Sequence, residues 1–321
     1  MKLGVIADLH WRVAGEAPVR WHADYDFGGL AQRCAATVEA LAARGCELLV
    51  VAGDLTHDGD RAARDAALDC LLGASPIPVA VVEGNHDVHA ERSPLAGRAD
   101  VRDGWVRARA LAGEELLALG ALRAGDDGWG WDDASAEGRA AWGGATGASA
   151  GGSSTWRAAT GTSANGRSHD GAPGSAANGL AAIVVSHFPL APHADRLALA
   201  GLPCPGELAD RAPRFERLAA TGVPTVVLSG HVHVRDAIGH DSVLQICVPA
   251  LVEAPHEAAI VDVDPLTHAV RCTRVRGGDP APGRGAEPWL LAAADERWTF
   301  ADGAWSRVEY AVTRRPVLAE A

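Results

Sequence analysis

Five short stretches of this sequence end in side chains that commonly bind metal ions or transfer protons. Each stretch follows an apolar run typical of a buried strand. Residues i and i+2 of a strand point to the same side, so Asp8 and His10 can reach one ion together. His231 and His233 repeat that spacing. The other three stretches end in Gly53-Asp54, Gly84-Asn85-His86-Asp87 and Ser186-His187-Phe188-Pro189.

None of these stretches is specific when it is taken singly. A Gly-Asp pair after a strand is usually a turn, and a core histidine such as His187 is more often a hydrogen-bonded structural residue than a ligand. The series is specific because all five stretches occur in order, each directly after an apolar run. Open α/β sheets bind ligands at the carboxyl ends of their strands, so we expect these side chains to meet at that edge.

The elements that must position these residues are apolar runs that alternate with helical patterns. The predicted strands are Leu3–Ala7, Leu48–Ala52, Val79–Val82, Ala182–Ser186, Val223–Leu228, Val243–Val248, Ala258–Val263 and Ala269–Val275. The predicted helices lie around Leu30–Leu41, over Asp60–Leu72 and around Phe215–Leu218. Early alternation predicts βαβ units, whereas the succession of strands near the end predicts an antiparallel or mixed extension. Continuously apolar strands should be covered on both faces.

One segment breaks this pattern. In Gly143–Gly179, 29 of the 37 residues are Gly, Ala, Ser or Thr, and no periodicity is present. This composition predicts an inserted surface loop that is either a lid over a site or disordered, and it favours disorder. The predicted organisation is therefore one domain over 1–275, interrupted at about 143–179, with a C-terminal extension over 276–321 packed on the same domain.

Composition excludes several classes of protein. With 321 residues, of which 48% are apolar, the chain can bury a large core and is not disordered as a whole. A formal net charge of −12 disfavours nucleic acid as a partner, because phosphate backbones are bound by basic patches. No apolar run approaches the ~18 residues of a membrane helix. The first residues form a core strand instead of a signal peptide, so a cytoplasmic location is predicted.

In this order, the five stretches resemble the calcineurin-like metallophosphoesterase family. That family carries Asp-x-His, Gly-Asp, Gly-Asn-His-Asp/Glu, a histidine and Gly-His-x-His, and no element is missing here. The resemblance runs from about residue 1 to residue 265, apart from the insertion. It implies an α/β fold in which two mixed sheets form a four-layer α-β-β-α sandwich, with a dinuclear metal site at the carboxyl ends of the strands.

The resemblance also implies a role for each motif residue. The first metal would be held by Asp8, His10, Asp54 and His233, and the second by Asn85, His187 and His231, with Asp54 bridging both. Such mixed imidazole and oxygen ligation suits Mn, Fe or Zn. His86 would contact the phosphoryl group or protonate the leaving group, and Asp87 would orient His86. A hydroxide bridging the two metals would be the nucleophile.

Residues next to the motifs are weaker candidates. The loop after the first motif is polar and aromatic, opens beside the predicted metals and is expected to recognise the substrate. Its candidate residues are Trp11, Arg12, Trp21, His22, Tyr25 and Asp26. His57 and Asp58 could support the metal site or start a helix, and the pattern favours the helix start.

The predicted function is hydrolysis of a phosphoester bond in a small molecule or nucleotide, with two divalent ions as cofactors. Gly-Asp-Leu-Thr-His-Asp-Gly at residues 53–59 looks most like the bacterial cyclic-nucleotide phosphodiesterase branch. Phosphomonoesters and other metabolites remain open as substrates, and so does the oligomeric state. The alternatives are a nuclease of the same superfamily and a non-catalytic metal-binding interaction module on the same fold.

Overall fold

The structure is a computed structural model. It describes residues 1–12, 25–87, 182–202, 204–208, 211–264, 267–276 and 291–308, and the backbone of short strands between 101 and 131. The predicted insertion at 143–179 lies outside the described residues, as do Trp21 and His22.

The eight predicted strands and three predicted helices are present, and the structure adds elements that the sequence did not predict, among them the strands Asp236–His240, Asp295–Ala301 and Ala304–Arg307 and the helix Ala194–Leu199. The strands are β1 (Lys2–Ile6), β2 (Leu48–Ala52), β3 (Val79–Val82), β4 (Val101–Arg102), β5 (Trp105–Val106), β6 (Leu116–Ala118), β7 (Leu122–Gly125), β8 (Gly128–Trp131), β9 (Ala182–Val185), β10 (Thr225–Ser229), β11 (Asp236–His240), β12 (Val243–Cys247), β13 (Glu257–Asp264), β14 (Ala269–Arg276), β15 (Asp295–Ala301) and β16 (Ala304–Arg307). The helices are α1 (Leu30–Ala43), α2 (Arg61–Ala74), α3 (Ala194–Leu199) and α4 (Arg211–Ala220).

Two mixed sheets carry the fold, as predicted. The larger has seven strands in the order β16-β15-β14-β13-β1-β2-β3, and the smaller has five in the order β11-β12-β10-β9-β6. β1, β2 and β3 run parallel, and so do β9, β10 and β12. β13 to β16 pair antiparallel, and β13 joins them to β1. The carboxyl ends of the motif-bearing strands therefore lie at one edge of each sheet.

Alternating side chains of these strands build the layers of a sandwich. Val5 and Val50 from the larger sheet pack against Val185 and Leu228 from the smaller sheet in one buried cluster. The opposite faces are covered by helices. Leu49 and Val51 pack with α1 and α2, and Val184 and Val227 pack with Phe215 and Leu218 of α4. The α-β-β-α order of layers is confirmed, and it explains why the strands are apolar on both faces.

The helices follow from local sequence signals. Cys34, Val38 and Leu41 form the buried face of α1, while Asp60 caps α2 by accepting a hydrogen bond from the Ala63 amide at 2.8 Å. Each fully buried Leu or Val contributes about 1.5–3 kcal/mol through removal of apolar surface from water. Within the described ranges, no helix combines the length and apolar character that crossing a bilayer requires.

Candidate metal centre

The loops that follow β1, β2, β3, β9 and β10 converge at one edge of the sandwich. They bring all seven predicted ligands together: Asp8, His10, Asp54, Asn85, His187, His231 and His233. The loops are joined by backbone hydrogen bonds, because the Asp8 amide donates to the Gly53 carbonyl at 3.1 Å and the His10 amide to the Asp54 carbonyl at 2.9 Å. Parallel strands place their ends at the same edge, so residues distant in sequence become neighbours.

A first group of donor atoms surrounds His10. His10 Nε2 lies 3.4 Å from His233 Nε2 and 3.7 Å from Asp54 Oδ2. His233 Nε2 lies 3.5 Å from Asp8 Oδ1. Ligands about 2.1 Å from a tetrahedral ion are about 3.4 Å apart, so these spacings fit one ion. We call Asp8, His10, Asp54 and His233 the first donor group.

A second group shares one atom with the first. Asp54 Oδ2 lies 3.3 Å from His187 Nε2, which lies 3.0 Å from Asn85 Oδ1. Asn85 Oδ1 is also 3.1 Å from His231 Nδ1. Asp54, Asn85, His187 and His231 form the second donor group. A single oxygen of Asp54 thus stands between two sets of donors, each with the spacing of metal ligands.

The imidazoles are oriented through the nitrogen that points away from the donor groups. His187 Nδ1 faces the Ala52 carbonyl at 3.0 Å, and His231 Nε2 faces the Gly206 carbonyl at 3.2 Å. These oxygens accept hydrogen bonds only, so the remote nitrogen carries a proton, and the inward nitrogen is the one that could bind a metal ion. Among the described residues, His10 Nδ1 is buried without a hydrogen-bond partner.

Acidic and imidazole groups shift one another's pKa values. Burial opposes ionisation of Asp54, but His187 and His10 outweigh it and hold the Asp54 pKa well below its usual range. Burial likewise opposes the charged form of His187, yet Asp54 raises its pKa to about 9. Burial and neighbouring His187 lower the pKa of His231 to about 3. Without metal, His187 therefore keeps a second proton that faces Asp54, and an ion bound at this position would have to displace it.

Backbone strain is concentrated at the candidate ligands. Five of the seven have positive φ: Asp8 (53°), His10 (47°), Asp54 (50°), His231 (67°) and His233 (52°). Such values are uncommon for residues other than glycine, and they cluster at functional sites. A Cβ on Gly53 would lie 2.3 Å from His187 Nδ1, and one on Gly84 would lie 2.1 Å from Asp54 Oδ1. Glycine at these positions lets the loops approach closely enough to form the donor groups.

His86 lies beside the first donor group without joining it. Its amide donates to Asp54 Oδ1 at 2.9 Å, and its ring centre is 4.6 Å from that of His10. Its Nδ1 lies 2.6 Å from the His57 carbonyl oxygen. The His57 carbonyl accepts a hydrogen bond from Nδ1–H, so Nε2 is the ring nitrogen that points away from this carbonyl.

The prediction that Asp87 orients His86 is corrected by its contacts. The Asp87 carboxylate accepts hydrogen bonds from the amides of Gly84 (2.8 Å), Thr56 (2.7 Å) and Leu55 (3.1 Å) and from the Thr56 hydroxyl (2.8 Å). Burial and the charge of Asp54 raise its pKa to about 6 despite these bonds. Asp87 therefore fixes the loop after β2 against the loop after β3, because these donors saturate its oxygens.

The preferred interpretation of His57 as part of a helix start is also wrong. Asp60 caps α2, and the His57 ring stacks on His86 with 5.3 Å between ring centres. His57 is buried and belongs to the imidazole cluster with His10 and His86, in which one ring nitrogen of each lies within 4.8 Å of the others. Asp58, by contrast, is exposed.

Among the described residues of the predicted substrate loop, Tyr25 contributes its side chain to the centre. The Tyr25 hydroxyl lies 3.5 Å from His10 Nε2, and burial, with Glu253 nearby, raises the pKa of Tyr25 well above its usual value. Asp26 pairs with Arg33 at 2.7 Å.

Trp11 and Arg12, at the start of the same loop, contact neighbouring segments. Trp11 bridges to Thr56 through the backbone, and the Arg12 guanidinium lies 4.9 Å from the centre of the Phe27 ring. Trp21 and His22 lie outside the described residues.

Glu253 is a neighbour of the centre that the sequence did not reveal. Its Oε1 lies 2.8 Å from His233 Nδ1. Glu253 follows none of the motifs, and no local pattern distinguishes it from other acidic residues. Only the tertiary fold brings it to the cluster.

The fold and the donor groups define a class of protein: an α/β sandwich with a candidate dinuclear metal centre at its strand ends. A family model described as calcineurin-like phosphoesterase matches residues 1–235. The chain belongs to the calcineurin-like phosphoesterase family. None of the curated proteins compared with the sequence matches it.

The chain is similar to several solved structures. A dimetal phosphatase from Danio rerio superposes with a TM-score of 0.53 at 15% identity, covering 87% of this chain and 97% of that chain. A predicted phosphoesterase from Streptococcus pneumoniae has a TM-score of 0.35 at 9% identity, covering 93% and 97%. Vps29 from Entamoeba histolytica, complexed with Zn²⁺, has a TM-score of 0.33 at 9% identity, covering 96% and 98%. The likeness to the dimetal phosphatase, at 15% identity, concerns the fold alone.

Proposed function

We propose that the protein hydrolyses phosphoester bonds of small molecules with two divalent ions, Mn, Fe or Zn, held by the two donor groups. The observation that carries this proposal is the position of Asp54 Oδ2, 3.7 Å from His10 Nε2 and 3.3 Å from His187 Nε2. One carboxylate oxygen between two donor sets is suited to bridging a pair of ions.

In this proposal each donor group holds one ion and Asp54 contacts both. When bound, the ions polarise a phosphoryl oxygen and lower the pKa of a coordinated water towards neutrality. Carboxylate, amide and imidazole ligands together suit Mn, Fe or Zn better than Ca.

His86 is proposed to move a proton at the leaving group. Its Nδ1–H donates to the His57 carbonyl at 2.6 Å, so a second proton, carried on Nε2 of the imidazolium, is the one that would pass to the departing oxygen. The Tyr25 hydroxyl beside His10 is proposed to bind the substrate, because its raised pKa keeps it a neutral hydrogen-bond donor.

The substrate is proposed to be a small phosphodiester or phosphomonoester. The net charge of −12 supports a small substrate over nucleic acid, and the 53–59 segment favours diesters such as cyclic nucleotides. A panel of mono- and diesters, assayed with Mn²⁺ and with Zn²⁺, tests this. We expect two metal equivalents per chain and turnover that a chelator abolishes.

The same experiment separates the alternatives. Binding and cleavage of DNA or RNA in preference to the small esters would identify a nuclease. Two bound ions without turnover of any ester would identify a non-catalytic metal-binding module. Fewer than two equivalents would contradict the bridging role of Asp54.

A further inference from the structure

We propose that Glu253 is a positioning residue for the first donor group, holding the His233 imidazole so that its Nε2 faces Asp8 and His10. This inference rests on the proposed function, since the orientation matters only if the group binds an ion. Glu253 lies outside residues 1–235, which the family model matches.

The contact itself fixes the ring in one orientation. Glu253 Oε1 lies 2.8 Å from His233 Nδ1, while His233 Nε2 lies 3.4 Å from His10 Nε2 and 3.5 Å from Asp8 Oδ1. An ionised carboxylate only accepts hydrogen bonds, so the Nδ1 proton points to Glu253. Nε2 is then the ring nitrogen that faces the donor group.

The backbone around Glu253 is held by the same segments that carry the centre. Glu253 forms an antiparallel bridge with Tyr25, whose hydroxyl lies beside the first donor group. The neighbouring Val252 donates its amide to the Asp8 carbonyl at 3.3 Å and accepts from the Asp26 amide at 2.7 Å. The carboxylate is therefore placed before any ion arrives, as an effective support for a ligand requires.

The two donor groups differ in this support. In the second group, His187 and His231 are oriented by the neutral carbonyls of Ala52 and Gly206. Within the part of the chain that the structure describes, His233 is the candidate ligand whose remote nitrogen lies within hydrogen-bond distance of a carboxylate, since His187 Nδ1 is 3.9 Å from Asp8 Oδ1. A carboxylate partner raises the basicity of the imidazole, so the contribution of Glu253 should fall mainly on the ion of the first donor group.

The test is a zinc titration of the metal-stripped full-length protein against a chromogenic chelator. We expect Glu253→Ala to weaken one of the two Zn²⁺ equivalents by ~10–100-fold, the usual effect of losing such a partner, and to weaken the other, which is linked to it through Asp54, by much less. Glu253→Gln keeps an acceptor oxygen at the same position, so it should recover most of the affinity. Glu39→Ala removes an exposed glutamate from α1 and serves as the matched control.

Each other outcome overturns the inference. Unchanged affinity in Glu253→Ala would remove the positioning role. Equal weakening of both equivalents, together with a lower melting temperature of the metal-free protein, would make Glu253 a general structural residue. Glu253→Gln as weak as Glu253→Ala would exclude hydrogen-bond acceptance as the cause. A wild-type protein that binds no zinc would instead refute the metal centre, and with it the proposed function.

Discussion

Among single residues, Asp54 is the side chain on which both donor groups depend. Its Oδ2 contacts atoms of both, and its Oδ1 accepts the His86 amide at 2.9 Å. The shared oxygen makes the two proposed ions interdependent, unlike two separate sites.

Asp54→Asn should therefore lose both ions together. The amide has no negative charge to share between two cations, and loss of a direct ligand should exceed the ~10–100-fold effect of a supporting residue. Metal content after dialysis and turnover measure this. Asp58→Asn, an exposed neighbour, is the control. Retention of both ions with normal turnover would contradict the bridging role.

Substitution of His86 should distinguish a role in catalysis from a role in metal binding. His86→Ala should keep both ions and lower turnover by roughly 10²–10⁴-fold, the range for a general acid or base. The loss should shrink with a substrate whose leaving group needs no proton. Metal analysis and rates with two leaving groups check this prediction. Loss of metal would instead make His86 a ligand.

At the scale of elements, the turn after β3 must lie directly against the loop after β2. A Cβ on Gly84 would lie 2.1 Å from Asp54 Oδ1 and 2.4 Å from the Asp54 amide nitrogen. Neither neighbour can move without disturbing the donor groups.

Gly84→Ala should therefore reduce metal content and turnover at least as much as Asp54→Asn. Gly73 provides the matched control, because it lies inside α2 and its added Cβ would meet nothing within 4 Å. Gly73→Ala should raise the free energy of unfolding by about 0.5–1 kcal/mol, since alanine is the better helix former. Denaturant unfolding and metal analysis of the two variants measure the contrast. A fully active Gly84→Ala protein would show that the turn is not constrained.

The interpretation of residues 143–179 as an inserted surface loop stays a prediction, because these residues lie outside the described part of the chain. Its composition predicts that replacement by a short Gly/Ser linker preserves folding and metal content, because no candidate ligand lies within it. Solubility, melting temperature and activity on a generic diester check this. An insoluble or metal-free deletion variant would show that the segment belongs to the core.

At the scale of the whole molecule, a buried polar network joins the loops that carry His187 and His233. His193 Nε2 lies 3.2 Å from Cys247 Sγ and 3.3 Å from Asp236 Oδ2, and Arg196 binds the same carboxylate. Burial opposes the charged imidazolium, but Cys247 and Asp236 outweigh it and raise the His193 pKa to about 11.

This network predicts a pH dependence of stability. The His193 pKa is about 11 in the folded protein and near 6.5 in the unfolded chain, so folding strengthens the binding of one proton. This proton stabilises the folded state fully below pH ~6.5, and its contribution is lost as the pH rises towards 11. The difference in unfolding free energy between wild type and His193→Gln should therefore narrow from pH 6 to pH 10. Denaturant titrations of metal-stripped protein measure it. A constant difference would mean that His193 does not bind an extra proton on folding.

The C-terminal strands complete the sandwich. β15 and β16 extend the seven-stranded sheet, and the Trp305 indole donates to the Ser242 carbonyl at 2.9 Å beside the smaller sheet. These strands lie within the predicted C-terminal extension.

The amino-acid sequence alone was enough to define most strands, three of the helices and the motifs that follow the strands, but not β11, β15, β16 or α3. Apolar runs with ligand-type residues at their ends predicted the parallel strands and the meeting of the motifs at one edge, whereas the set of seven ligands followed from the family resemblance. Prediction from the sequence succeeds for these features because the apolar pattern of a strand and the residue types that can bind metal are both local properties of the chain. The two-sheet sandwich followed from the family resemblance.

The contacts that support those residues depend on the tertiary structure. Asp87 bonds the loop after β2, the His57 carbonyl faces His86, and Glu253 faces His233. These contacts join residues about 20 to 30 positions apart through loop backbones whose course no local pattern specifies. The physical reason is that two groups form a hydrogen bond only when the folded chain brings them close together. A strand pattern, by contrast, is visible in consecutive residues, and the ability to bind metal is a property of the residue type itself.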